Sequence, residues 1–251
     1  MKTGYKLRAN EKIYLCPISD IHLGSPECNP EYFEYCLDTL SNIKQPKRIY
    51  LVGDLIEQAS KNIGNSSYRQ IMSVDDQVEE IIRYLKPFKK DIVFSAMGNH
   101  ELRSLKEFDM NVNRFIANSL GCKYGNQYID RFTINGDPFD VYIAHGKGSS
   151  AHFYTAESKI LRDTQHIDAN VYLNGHNHRC GYFSVPKRTH DGIVRKHYAF
   201  TGSFLKYMGY ADQMQLPVLP EAFLNLSVNK DLMVRGNLHY IDQVRPDLME
   251  L

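Results

Sequence analysis

Apolar, β-branched and aromatic residues gather along this chain in short runs, and five of the runs break into polar residues and glycine at their downstream ends. They are KIYLCPISD, RIYLVGD, DIVFSAMGN, FDVYIAHG and ANVYLNGH. A continuous apolar run of this length that stops at a turn signal is the pattern of a buried strand meeting its loop. Between these runs the spacing changes to that of helices. PEYFEYCLDTLSNI predicts one, with Pro30 at the first helical position after Asn29. SVDDQVEEIIRYLKPF predicts a second, opened by Ser73 and two aspartates and stopped near Pro87. DMNVNRFIANSLG predicts a third that ends at Gly121, and AHFYTAESKILRD a fourth.

QYIDRFTINGDPFDVYIAHG reads as a hairpin with its turn at Asn135 to Pro138. After residue 178, the stretches GYFSVPKR, VRKHYAFTG and AFLNLSVNKDLMVRGNLHYID are strand-like, with few helix signals. Alternating strands and helices followed by β-rich sequence predict an α/β protein, read as a single domain over residues 1–251. Two stretches read as irregular excursions, Asn62 to Ser73 and Lys206 to Pro220.

Composition narrows the class. A hydrophobic share of 43% over 251 residues is ordinary for a globular chain with a sizeable core. The formal net charge of +1 argues against both a uniformly basic nucleic-acid-wrapping surface and an acidic tail, and leaves room for a local basic groove. The start, MKTGYKLRANEK, lacks the apolar core of a signal peptide, and no run reaches the ~20 apolar residues of a membrane span. The expected location is therefore the cytoplasm, with no membrane partner. Five cysteines (Cys16, Cys28, Cys36, Cys122, Cys180), odd in number and without CxxC spacing, indicate reduced thiols.

The strand ends carry the chemistry. They present DIH at Asp20 to His22, GD at Gly53 and Asp54, GNHE from Gly98, HG at His145 and GHNH from Gly175. In open α/β sheets, loops converge at the carboxyl ends of strands, so residues remote in sequence meet there. A lone GD or HG is a common turn dipeptide and means nothing by itself. Five of the ten histidines nevertheless fall in this ordered set, whereas His152, His166, His190, His197 and His239 lack strand-end context and read as surface or packing residues. Carboxylates, one amide oxygen and imidazoles form a mixed nitrogen and oxygen donor set suited to Mn(II), Fe, Zn, Co or Ni. Two such ions about 3.5 to 4 Å apart activate water and steady a phosphoryl group, given one carboxylate to bridge them.

The order DxH, GD, GNH[ED], H, GHxH resembles the calcineurin-like metallophosphoesterase superfamily, over residues 20 to 178. The resemblance implies a two-sheet β-sandwich flanked by helices, a four-layer α/β/β/α fold. It implies two divalent metal ions, manganese foremost. Asp20, His22 and His178 would hold one and Asn99, His145 and His176 the other, with Asp54 bridging. His100 would be the catalytic residue that helps the leaving oxygen depart, as an acid or an electrostatic aid. Arg103 and Lys147, close to ligands on the same face, are the candidate substrate-binding cations; Arg179 and Lys206 are further basic residues near the motifs.

The phosphoprotein-phosphatase branch resembles GDxxDRG at the second motif, whereas this chain reads GDLIEQA, with Glu57 and Gln58 in those places. SDIHLG followed by GDLIE is more similar to the branch of DNA-repair exonucleases and lipid-precursor pyrophosphatases. The latter replace the histidine of GNH by arginine, and His100 is present here. The expectation is a phosphodiesterase acting on DNA, RNA or a nucleotide, akin to small phage or bacterial phosphoesterases. A phosphomonoesterase and a non-catalytic scaffold of the same fold are the alternatives, separable by ester preference and by activity.

Overall fold

The computed structural model describes residues 3–59, 70–148, 153–190, 192–206, 219 and 221–240. Of the two irregular excursions expected at Asn62 to Ser73 and Lys206 to Pro220, residues 62–69, 207–218 and 220 lie outside the described residues.

Twelve strands and five helices follow one another along the described chain. In order these are β1 (Gly4–Tyr5), β2 (Lys12–Ile18), α1 (Pro30–Asn42), β3 (Lys47–Leu51), α2 (Val74–Leu85), β4 (Ile92–Ala96), α3 (Glu101–Phe108) and α4 (Val112–Leu120). Then come β5 (Lys123–Gly125), β6 (Gln127–Ile134), β7 (Asp137–Ala144), α5 (Phe153–Asp163), β8 (Val171–Asn174), β9 (Cys180–Thr189), β10 (Gly192–Ser203), β11 (Ala222–Asn229) and β12 (Val234–Tyr240).

The strands form two sheets. One runs β1-β6-β7-β8-β10 with β9 on β10, and the other runs β11-β2-β3-β4-β5 with β12 on β11. Among the described residues, they join where β10 meets β11, through Gly202 with Phe223 and Ser203 with Ala222. Residues from both sheets share one buried cluster, including Ile13, Leu15 and Val52 from one side and Phe132, Val141 and Leu173 from the other. The outer face of the second sheet packs under α1, α2 and α4 through Phe33, Ile81 and Ile116, and that of the first under α5 through Ala156 and Ile160. Helices, sheet, sheet and helix give the expected four layers.

Local signals explain most boundaries. Asn29 accepts from the Tyr32 amide and Ser73 from that of Asp76, so α1 and α2 start where their caps stand. Gly121 takes the left-handed conformation that closes α4. Two details differ from expectation. The β6-β7 turn is the two-residue Asn135-Gly136, both at positive φ, and Pro138 lies inside β7 opposite Thr133. Helix α3 was not foreseen, because its eight residues begin inside the GNHE motif and have only two buried positions, Glu101 and Ser104, hence no apolar stripe to read.

Candidate metal centre and its cleft

Five loops bring the site together: those after β2, β3, β4, β7 and β8, each at a strand's carboxyl end as the sequence pattern required. The backbone there is forced into unusual shape. Asp20, His22, Asp54, His176 and His178 all lie at positive φ, between 49° and 69°. For residues with a Cβ this conformation is costly and concentrates at functional sites. Glycine is needed beside them: a side chain on Gly98 would collide with the Asp54 amide and carboxylate.

The side chains converge in two overlapping groups. On one side Asp20 Oδ1 lies 3.4 Å from His178 Nε2, and the Nε2 atoms of His22 and His178 are 3.3 Å apart. On the other, Asn99 Oδ1 lies 2.7 Å from His176 Nδ1 and 3.1 Å from His145 Nε2. Asp54 belongs to both: its Oδ2 is 3.1 Å from His145 Nε2 and 3.9 Å from His22 Nε2. Ligand-type atoms of Asp20, His22 and His178, and likewise of Asp54, His145 and His176, lie within 4.8 Å of one another. All seven residues expected to hold metal therefore face one small volume.

Electrostatics inside that volume call for positive charge. Asp20 and Asp54 are almost wholly buried, which disfavours their ionisation, yet hydrogen bonds and charge from the histidines outweigh burial and hold both carboxyls below their usual range. The partners respond oppositely. Burial lowers the proton affinity of His22 and His145, but Glu57 and the aspartates overcome it, raising His22 and taking His145 to about 10. A divalent cation answers the same demand in place of those protons, and the donor set of carboxylate, amide and imidazole is of the kind that binds Mn, Fe or Zn. The residues present thus fit the two-ion group.

Supporting groups set the ligands' orientation. His145 Nδ1 donates to the Val52 carbonyl at 2.7 Å, and His22 Nδ1 lies 3.1 Å from Glu57 Oε2, which aims both Nε2 atoms inward. Glu101, fully buried, accepts from four backbone amides: Asp54 at 3.0 Å, Leu55 at 2.7 Å, Ile56 at 3.4 Å and Gly98 at 2.9 Å. It ties the loop after β3 to the loop after β4, the two that carry Asp54 and Asn99. Sequence reasoning assigned no role to Glu57 or Glu101. The available signal was an acid in an otherwise apolar GDLIE run and another at the close of GNHE.

His100 and Arg103 are bonded to each other and to the loop after β3. His100 Nδ1 donates to the Glu57 carbonyl at 2.5 Å, and Arg103 donates to His100 Nε2 at 2.9 Å, so both ring nitrogens are engaged by a neutral imidazole. Burial, reinforced by the charge of His22, lowers the His100 pKa to about 4. Arg103 also donates to the Glu57 and Gln58 carbonyls, at 2.9 and 3.2 Å. These bonds fix the guanidinium against His100 and the loop after β3. Lys147, by contrast, is exposed and lines a cleft of about 520 Å³ that opens beside Asn99, His145 and His176.

This combination defines a class: an α/β/β/α protein with a two-ion donor set at the sheet edge. The chain belongs to the calcineurin-like phosphoesterase family, whose profile matches residues 17–180 and so spans all five motifs. Its fold is the metallophosphoesterase fold of that family. It is similar to vacuolar protein sorting 29 from Cryptosporidium parvum, at 12% identity and TM-score 0.49 over 92% of this chain and 98% of that one. It is also similar to a metallophosphoesterase from Sphaerobacter thermophilus, at 13% and 0.48 over 90% and 87%. The NAD nucleotidase of Haemophilus influenzae matches at 8% and 0.48 over 91% of this chain and 49% of that one. Likenesses this remote carry no argument about substrate. No curated protein matches the chain. Among the described residues no helix is long and apolar enough to cross a membrane, and all five cysteines are free thiols.

Proposed function

We propose that the protein is a two-metal phosphoester hydrolase whose substrate is a phosphodiester, in a nucleic acid or a nucleotide. The observation that carries the reading is the position of Asp54 Oδ2, within 3.1 Å of His145 and 3.9 Å of His22, where one carboxylate serves both halves of the donor set. Asp20, His22 and His178 would hold one divalent cation and Asn99, His145 and His176 the other, with Asp54 shared and manganese the foremost ion. When bound, the pair supplies the charge that polarises a phosphoryl group and acidifies water.

The chain's own residues do the rest. Glu57 and the Val52 carbonyl hold the His22 and His145 imidazoles at Nδ1, with Nε2 turned to the donor set. His100, neutral and supported at Nε2 by Arg103, stands 3.9 Å from Asp54 Oδ2 at the rim of the donor set. There the His100–Arg103 pair acts as the electrostatic aid to the leaving oxygen, with the guanidinium as the source of positive charge. Support for a diester over a phosphoprotein comes from Gln58. It stands where the protein-phosphatase pattern has its phosphate-gripping arginine, and it is a buried amide bonded to Ser104. Support for nucleic-acid chemistry is the resemblance of SDIHLG and GDLIE to the exonuclease branch.

The test is hydrolysis of bis-p-nitrophenyl phosphate against p-nitrophenyl phosphate by chelator-stripped protein resupplied with Mn(II), Ni(II) or Zn(II), beside Asp54→Ala. The expected result is metal-dependent cleavage that favours the diester and is lost, with bound metal, in the variant. An Asp54→Ala protein with full activity and full metal content would refute the shared carboxylate. Preference for the monoester would refute the diester reading.

A further inference from the structure

The cleft beside the metal centre is one-sided. It begins at Asn99, His145 and His176, and none of Asp20, His22, His100 or His178 lines it. Among the described residues, a phosphate seated among the histidines therefore has a cleft for a large substituent on the Asn99, His145 and His176 side. At about 520 Å³ the cleft falls within the usual range for an organic ligand site, roughly 300 to 1,000 Å³. A bare phosphate or a short side chain would leave most of it unfilled.

The walls have two characters. Leu102 on α3, Tyr142 on β7, and Ala156 and Ile160 on α5 supply apolar surface, while Asn126 and Gln127 supply amides at the mouth between β5 and β6. The Tyr142 hydroxyl donates to Gln127 Oε1 at 2.7 Å, which leaves the Gln127 amide hydrogens for another acceptor. The charges are Lys147, Lys159 and Asp163. Lys159 is paired with Asp163 at 2.6 Å, and Lys147 is near enough to help keep the Asp163 carboxyl ionised. Two ammonium groups against one carboxylate leave the cleft cationic in a chain whose formal net charge is only +1.

We infer that this cleft seats the neighbouring nucleotide unit of the substrate, its sugar and base against Leu102, Tyr142 and Ile160 and its own phosphate against Lys147 and Lys159. The inference rests on the phosphodiesterase reading and narrows it: the favoured substrate carries a second phosphate one nucleotide away from the bond that breaks. Lys147 thereby keeps a substrate-binding role, directed at the adjacent phosphate rather than at the reacting one.

The test uses a thymidine dinucleotide phosphorylated at both ends, the same dinucleotide without terminal phosphates, and bis-p-nitrophenyl phosphate, all with Mn(II)-loaded protein. The wild-type kcat/KM should be about tenfold higher with the terminal phosphates than without them, the effect of about one charge-assisted hydrogen bond. In a variant carrying Lys147→Ala and Lys159→Ala that ratio should fall toward one. Leu102→Trp, which narrows the cleft, should depress both dinucleotides relative to bis-p-nitrophenyl phosphate. A ratio that is near one in the wild type, or unchanged in the lysine variant, overturns the cleft assignment even if bis-p-nitrophenyl phosphate is cleaved. Calorimetric binding of the phosphorylated dinucleotide separates the two readings. Binding weakened by the lysine variant, without hydrolysis of any ester, would uphold the cleft and sink the hydrolase; hydrolysis with binding that is indifferent to the lysines does the reverse.

Discussion

Replacing Glu101 by glutamine changes one atom and should disturb the whole centre. Oε1 accepts from the amides of Leu55 and Ile56, and Oε2 from those of Asp54 and Gly98, so each oxygen answers two donors. Glutamine keeps one accepting oxygen, and in either rotamer its NH₂ group faces two backbone N–H groups inside a residue with no solvent exposure. Two charge-assisted bonds are lost, each worth about 1.5 to 3 kcal/mol, and two buried donors are left unmet. Against this stands relief of a strained charge, since burial and then the nearby Asp54 carboxylate raise the Glu101 pKa.

The net expectation is a loss of about 3 kcal/mol in stability, concentrated where Asp54 is held at positive φ. Chemical denaturation measures the stability. Calorimetric titration with Mn(II), together with the electron paramagnetic resonance signature of two coupled ions, measures the effect on the centre. The coupled signal should weaken before the fold is lost, and Glu101→Asp, which keeps the charge on a shorter arm, should recover part of it. Full stability and a wild-type coupled signal in Glu101→Gln would refute the claim that this carboxylate positions the site.

The other expectations are simpler. Arg48 makes a two-point bond to Asp130 at 2.7 and 2.8 Å across the sandwich, with the Tyr50 hydroxyl also donating to Asp130 and the Phe132 ring 4.7 Å from the guanidinium. Asp130→Asn should cost about 3 to 5 kcal/mol in denaturant unfolding, and pairing Arg48→Met with Asp130→Leu should cost less, because no lone buried charge remains. His197 is buried against Tyr182, and desolvation, reinforced by Arg195 and Lys196, lowers its pKa to about 4. The folded state then binds fewer protons than the unfolded state between about pH 6.5 and 4, so its stability contribution is complete above that window and falls as pH drops through it. His197→Gln should flatten the decline in melting temperature over that range relative to the wild type; an unaltered slope would show that His197 titrates normally.

Residue type and order were enough to single out the residues that cluster at the candidate site. Coordination chemistry accepts only a few side chains, and each stood at the end of an apolar run, so Asp20, His22, Asp54, Asn99, His145, His176 and His178 could be singled out without coordinates. The same held for helices with caps of their own, as at Asn29, Ser73 and Gly121. Tertiary structure alone decided what lies behind and beside those ligands. Arg103 reads in the sequence as a cation near the ligands, and only the fold shows that the carbonyls of Glu57 and Gln58, some 45 residues upstream, hold its guanidinium. Glu101 has no role legible in the GNHE motif until two loops fold their amides around it. The cleft is lined jointly by residues of α3, β7 and α5, which the fold brings together. Ligand identity is a local property of a side chain, whereas burial, hydrogen-bond partnership and cavity shape arise from segments far apart in the chain, which no local pattern records.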